Sequence, residues 1–409
     1  MDSNAAWKRN TALFLVSQGV TLFGSSLVQF AMVWYVTKVT SSGAWVSALS
    51  ICAFLPQMLI SLVSGVWADR YPKKRLIVAS DAVIAAATLA LSLLLPYVSS
   101  ERTVLTALLL VSVVRSLGAG VQTPAVNAVI PQLVPEEQLM RMNGVNATLQ
   151  SVVQFAAPAA AGAILSFSSL HNALFIDVAT AAAGIGLLCC VWIPAVRNEA
   201  AARKPVLDAF KAGVRYAAGD AFLGKLLALY GAFIFLCVPA GFLATLFVSR
   251  AYGDSYLNMT IVELVGFAGM AGGGALIGAW GGFPNRVRTL LVGLTAFGAL
   301  AVGMGALHSF YAYLALMLLY GVALTMVQTA VTTLLQEKAA PEMQGRMFGF
   351  LNVIYCGFLP LGMAAFGPLA DRMPMRWMLA LSGAALLLLA LVYRLLPGFL
   401  RAGETPEDA

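Results

Sequence analysis

The chain is 409 residues long, 60% of them hydrophobic and only 11% charged, with a mean hydropathy of +0.85. No soluble domain of that length hides so much apolar surface in one core, so a water-soluble enzyme or binding domain is excluded. The formal charge of +7 arises from 25 Lys and Arg against 18 Asp and Glu, with no basic run interleaved with aromatics, and is no sign of nucleic-acid binding.

Nearly continuous apolar runs of about twenty or more residues recur along the chain, each long enough to cross a bilayer as a helix. Twelve are predicted, at 11–37, 44–68, 75–97, 103–125, 143–168, 172–195, 223–249, 257–283, 288–308, 311–334, 346–370 and 374–397. The expected fold is an all-α membrane protein, with twelve transmembrane helices in two pseudo-symmetric six-helix bundles. Residues 1–195 form the first bundle, 196–222 a cytoplasmic linker with an interfacial helix, and 223–409 the second bundle. Nineteen Lys and Arg fall on the side of the N-terminus, five on the other side, and Arg115 alone within a segment. That bias predicts cytoplasmic N- and C-termini in the inner membrane. The first apolar stretch is too long for a cleavable signal and lacks a small-residue cleavage site.

The first segment places Gln18, Ser25, Gln29 and Met32 on one helical face. Between the second and third segments the chain reads Gly65-Val-Trp-Ala-Asp69-Arg70-Tyr-Pro-Lys73-Lys74-Arg75. A hairpin so short and basic anchors topology and ties two helices together at the cytoplasmic face. Asp81, close by, is expected to pair with its arginines. Arg115 lies midway through the fourth segment, where an unpaired cation is costly, and so should face a polar cavity or a partner. Gln122, seven residues on, shares its face. The fifth segment carries Asn146, Gln150 and Gln154 at helical spacing, and the tenth Thr325, Gln328 and Thr332. These stripes serve equally as a cavity wall or as hydrogen bonds between helices, each worth about 0.6 kcal/mol. Trp34, Tyr35, Tyr230, Phe233 and Tyr355 suit a large amphipathic ligand or the lipid interface.

Asp177 in the sixth segment and Glu263 in the eighth complete the acids within spans. Apolar surroundings favour the neutral form of a carboxyl, which a proton-coupled carrier needs, and Glu263 is the first choice for that role. In the linker, Leu207, Phe210, Val214 and Ala217 fall on one helical face suited to the membrane interface. Gly219-Asp-Ala-Phe-Leu-Gly224-Lys225 imitates a phosphate-binding loop, but Leu226 stands where Ser or Thr is required, so ATP binding is rejected. The five cysteines read as small apolar residues, and His171 and His308 as loop residues without a role. No cofactor or metal is expected, and no hydrolase or zinc-protease string suggests an enzyme.

The chain repeats itself at half length. Residues 118–138 align without gaps with 324–344 at an offset of 206, matching at Val121, Gln122, Thr123, Pro135, Glu136 and Gln138. The hairpin has a fainter echo in Gly281-Gly-Phe-Pro-Asn285-Arg286, at an offset of 216. Six helices repeated in one orientation place a substrate site near the midplane between two bundles.

The spacing in the 65–75 hairpin resembles the signature loop of the major facilitator superfamily. With Arg115-Ser-Leu-Gly118-Ala-Gly120, the chain resembles the drug:proton antiporter branch of that superfamily. The strings RSLGAGVQTPAVNAVIPQLVPEEQL and LLQEKAAPEMQGRMF look most like macrolide-efflux transporters, a similarity that runs the whole chain. The Gly-Pro motif of the fifth helix departs from the pattern, standing here as Ala157-Pro158 with Gly162. The resemblance implies that Asp69 caps a neighbouring helix across the bundles, that Arg70 joins a charge network, and that Asp69, Arg70 and Arg75 form a conformational latch. It links Arg115 to proton coupling, alongside Glu263 and Asp177. Gln18, Gln29, Gln122, Asn146, Gln150 and Gln328 are the candidates for the substrate cavity.

The expected activity is export of a bulky amphipathic compound, a macrolide by resemblance, against inward proton flow by a monomer in the bilayer. A siderophore or metabolite exporter of the same fold is one alternative. An uncoupled facilitator is the other, favoured by the altered fifth-helix motif and the lack of an acid in the first segment.

Overall fold

A computed structural model describes residues 3–135, 138–193, 215–216, 219–396 and 398–401. Among these residues are thirteen helices of nine residues or more, and no strand. They are α1 Ser3–Thr40, α2 Gly43–Arg70, α3 Lys73–Leu94, α4 Glu101–Leu133, α5 Leu139–Phe167, α6 Leu170–Cys189 and α7 Ala221–Cys237. There follow α8 Ala244–Tyr252, α9 Tyr256–Trp280, α10 Arg286–Ala306, α11 Phe310–Lys338, α12 Pro341–Ala370 and α13 Met375–Leu395. Eleven are long and apolar enough to cross a membrane, and the apolar α7, of 17 residues, completes the twelve-helix plan together with α8.

The predicted seventh segment is thus broken, at turn residues 238–243. Pro239 offers no backbone donor, and the chain closes the break with Gly241 N bonding Cys237 O at 2.9 Å and Leu243 N bonding Val238 O at 3.1 Å. The fourth helix instead runs past its predicted end at 125, to Leu133, through Pro124 and Pro131. Burial holds that extension: Ala125, Val129, Ile130 and Leu133 pack with Phe14 and Leu15 of α1, Ile77 of α3 and Leu188 of α6. Hydropathy averaged along the chain misses it because only one face is apolar.

The chain divides into two compact units. The first comprises Met1–Val39 and Ala48–Lys204, the second Thr40–Ser47 and Pro205–Ala409. Residues 43–47 of α2 are thus counted with the second unit and the rest of that helix with the first. In the first unit α2 contains Pro56, which has no backbone donor, and a side chain of α4 bonds the ladder beside it. Ser116 Oγ donates to Ala53 O at 2.6 Å and accepts from Gln57 N at 2.8 Å. Glycine keeps α4 close to its neighbours. A Cβ on Gly118 would lie 2.6 Å from Ile84 Cγ1, and one on Gly120 only 2.8 Å from Gln57 O. The second unit has an aromatic core in which the rings of Phe233, Phe297 and Tyr320 pack in sequence, with centroids 4.9 and 4.1 Å apart.

The linker face at Leu207, Phe210, Val214 and Ala217 lies outside the described residues. The phosphate-loop imitation is a helix start: Asp220 caps α7, accepting from Phe222 N at 2.8 Å and Leu223 N at 3.0 Å.

Candidate functional site

The first unit carries a buried ionic site on α1, α3, α4 and α6. Arg115 is 7% exposed and Asp177 is 1% exposed, and the two form an ion pair. Arg115 Nη1 also donates to Thr88 Oγ1 at 2.6 Å, and Nη2 to Ser25 O at 3.2 Å. Asp177 Oδ1 accepts from Ser25 Oγ at 3.5 Å, and its Oδ2 lies 3.2 Å from Thr88 Oγ1. Two of the predicted coupling residues are therefore brought together. A carboxylate and a guanidinium satisfying each other hold both charges in a low dielectric, where either alone would be costly.

Asp81 departs from its expected pairing. Its Oδ1 accepts from Gln122 Nε2 at 2.6 Å, and no arginine of the hairpin bonds it among the described residues. It is 2% exposed, and its Oδ2 has no hydrogen-bond partner among the described residues. A helix twists about 100° per residue, and the eight residues separating Lys73 from Asp81 lift the acid about 12 Å along α3, away from the hairpin. Gln122, half-buried, is thus committed at least in part to a neighbouring helix rather than free to line a cavity.

The other candidates scatter. Gln18 is buried, with Nε2 3.5 Å from Ser17 Oγ. Gln29, Asn146 and Gln328 are half-buried, and Gln150 and Gln154 are exposed on α5. Asn143, Thr148 and Ser151 are exposed on the same helix, so α5 presents more polar surface than a purely lipid-facing helix carries. Thr325 bonds Met270 O at 3.1 Å and so ties α11 to α9. Glu263, half-buried on α9, takes part in none of the ion pairs among the described residues, which join Arg115 to Asp177, Arg250 to Asp371 and Arg286 to Glu337.

The backbone of Asp69 and Arg70 is the last turn of α2, but their side chains lie outside the described residues. Arg75 is exposed in the first turn of α3. Beside it, Lys74 Nζ donates to Cys189 O at 2.9 Å and Val191 O at 2.7 Å, a cation at the C-terminus of α6. His171 is no loop residue: it opens α6, and its Nδ1 lies 3.0 Å from Ser92 Oγ of α3. In the second unit the hairpin echo turns inward, for Asn285 caps its own helix through Arg288 N at 3.1 Å, while Arg286 reaches Glu337 at 3.4 Å.

One constellation went unread in the sequence. Asp371, just past α12, accepts from Gly43 N at 2.7 Å, Ala44 N at 3.0 Å and Ser42 Oγ at 2.7 Å, and so caps α2. Arg250 of α8 pairs with it at 2.6 Å and also donates to Ser41 O and Ala370 O. Ser41 sits at φ 46°, a left-handed conformation that turns its carbonyl to the guanidinium. Burial pushes the Asp371 carboxyl up, but the bonds from Ala44, Ser42, Gly43 and Arg250 outweigh it and hold the group below its ordinary range. The approach needs glycine, since a Cβ on Gly43 would lie 2.3 Å from Gly367 O. A signal was present: Gly367-Pro-Leu-Ala-Asp371-Arg372-Met-Pro374 repeats the Gly-x-x-Ala-Asp-Arg-x-Pro of residues 65–72.

Twelve apolar crossings, two six-helix halves and buried charge within one half define a polytopic membrane transporter. The model of the Major Facilitator Superfamily matches residues 14–363, and the chain belongs to that family. It is 28% identical over 395 residues to "Macrolide efflux protein A" of Streptococcus pyogenes, covering 96% of this chain and 97% of that protein. A shorter likeness, 24% over 158 residues, joins it to the "Staphyloferrin A transporter" of Staphylococcus aureus, over 38% of this chain and 39% of that one. Among solved structures, an inward-facing bacterial homologue of the iron transporter ferroportin shares the fold with a TM-score of 0.72 at 18% identity, over 97% and 99% of the two chains. The protein is therefore a multi-pass transporter of small molecules, of a fold and family that are not those of enzymes.

Proposed function

We propose that the protein exports a macrolide, or a compound of like size and amphipathic character, in exchange for protons by alternating access. The observation that carries this reading is the likeness to Macrolide efflux protein A over nearly the full length of both chains. The first unit supplies a buried charge centre at Arg115 and Asp177, and the second an acid, Glu263, that joins no ion pair among the described residues. Glu263 is the coupling acid of this proposal in the second half. Gln29, Asn146, Gln150 and Gln328 are proposed to meet substrate, with Gln18 and Gln122 as supports. Asp69, Arg70 and Arg75 act as the cytoplasmic latch, in a monomer with both termini in the cytoplasm of an inner membrane.

The test is proton movement in everted vesicles under an imposed pH gradient, with macrolides added singly. A macrolide that dissipates the gradient through wild type but not through Glu263→Gln supports both the exchange and the acid. Equilibration of macrolide without proton movement refutes antiport in favour of a facilitator. A second reading, siderophore export, draws on the likeness to the staphyloferrin A transporter. Proton movement driven by a hydroxycarboxylate siderophore and by no macrolide would favour it.

A further inference from the structure

We infer that Asp81 is a proton-binding carboxyl of the first unit and that Gln122 is the partner that reads its state. The inference rests on the proton-exchange reading and adds to it a residue that reading does not use. Three observations carry it. Asp81 is 2% exposed, deep enough that a bare carboxylate is expensive. Its Oδ2 has no partner among the described residues, although most buried polar atoms in proteins have one. Its Oδ1 accepts from a side-chain amide, Gln122 Nε2 at 2.6 Å.

The amide matters chemically. A guanidinium has donors only, so the Arg115 and Asp177 pair works in one protonation state and is broken by a proton. A glutamine has an NH₂ that donates and an oxygen that accepts. Facing a charged Asp81, Gln122 donates; facing the neutral acid, the turned amide accepts from the carboxyl O–H. The bond between the two side chains can be made with or without the proton, as a site that loads and unloads needs. When the proton binds, one O–H bond forms on Asp81, its charge falls from −1 to 0, and Gln122 reverses. On release the proton returns to water.

The charged groups around Asp81 can be enumerated. Its own helix carries Lys73, Lys74 and Arg75 in the first turn, and Lys74 is held at the end of α6. On α4 the charged groups are Glu101 and Arg102 in the first turn and Arg115, and on α6 the titratable groups are His171 near its start and Asp177; Arg115 and Asp177 are paired with each other. On α1 the cations are Lys8 and Arg9 near its start and Lys38 in its last turn. No free cation stands beside the carboxyl to fix it in the charged form among the described residues.

The first test needs no substrate. Infrared difference spectra of the purified protein between mildly acidic and alkaline pH should show a carboxylic-acid carbonyl band that disappears on deprotonation. The band should be absent from Asp81→Asn, a near-isosteric change, and shifted in Gln122→Leu, whose leucine cannot hydrogen-bond. A band unchanged in Asp81→Asn, or no titrating band in wild type, overturns the inference. The second test is transport. Asp81→Asn should lose uphill accumulation yet still equilibrate substrate, and Asp81→Glu should recover part of the uphill activity. Full uphill transport by Asp81→Asn overturns a coupling role. Should wild type move substrate without protons, the exchange reading falls, and the infrared result still decides whether Asp81 binds a proton.

Discussion

Replacing Asp371 with Ala removes two backbone caps from α2, one hydroxyl bond and an ion pair to Arg250. A lost helix N-cap costs about 1 kcal/mol. The ion pair, with side chains 27% and 28% exposed, is screened by solvent and adds about 1 kcal/mol more. The start of α2 should therefore open more readily by about 2 kcal/mol, or roughly 30-fold. Hydrogen exchange of the amides of residues 43–47, read by mass spectrometry, would report it, because Gly43 and Ala44 donate directly to the lost carboxylate. The pH dependence follows from the sign of the shift. A carboxyl held below its ordinary value contributes stability that is present above that value and lost as pH falls through the folded-state pKa. The advantage of wild type over Asp371→Asn should stay constant from neutrality to about pH 5 and shrink below about pH 4. Unchanged exchange in Asp371→Ala, or an advantage that fades already near neutrality, would refute the capping account.

Truncating one member of the Arg115 and Asp177 pair should cost about 3–5 kcal/mol, since an uncompensated charge stays buried, whereas Arg115→Met with Asp177→Leu should cost much less. Thermal unfolding of the two single variants and the double variant in detergent measures the difference, and simple additivity would refute it. Ser116→Ala leaves Ala53 O and Gln57 N without their bridge beside Pro56 and should lower stability by about 1–3 kcal/mol. Ser116→Thr, which keeps the hydroxyl, should recover part of the loss in the same assay. Arg250→Ala should loosen α2 less than Asp371→Ala, because the carboxylate keeps its bonds from Gly43 and Ala44.

Hydropathy alone revealed the class and the twelve crossings, because the bilayer demands long apolar helices wherever the chain spans it. It failed where the local cause was of another kind. A turn at 238–243 breaks the seventh crossing at Pro239, whereas α4 continues through two prolines because its buried face pays for the lost bonds. Arg115 was legible as a cation needing a partner, and Asp177 as an acid, yet their meeting required the packing of α4 beside α6. The bond of Asp81 to Gln122 was not legible, because nearness in sequence pointed to the hairpin arginines. The Asp371 cap escaped because its partners lie more than three hundred residues away in the chain.

The two Gly-x-x-Ala-Asp-Arg-x-Pro strings begin 302 residues apart, whereas the halves of the chain are related by offsets of 206 to 216. The second string therefore lies off the register that relates the two halves. The inherited counterpart of Asp69 is Asn285, which now closes the end of its own helix. At residue 371 an acid follows a helix, with a glycine one turn earlier to admit a neighbour, at a place the half-chain offset does not point to. Descent is thus a poor guide to which loops of the chain carry such an acid, and the unpaired amides at the start of a facing helix are the better one.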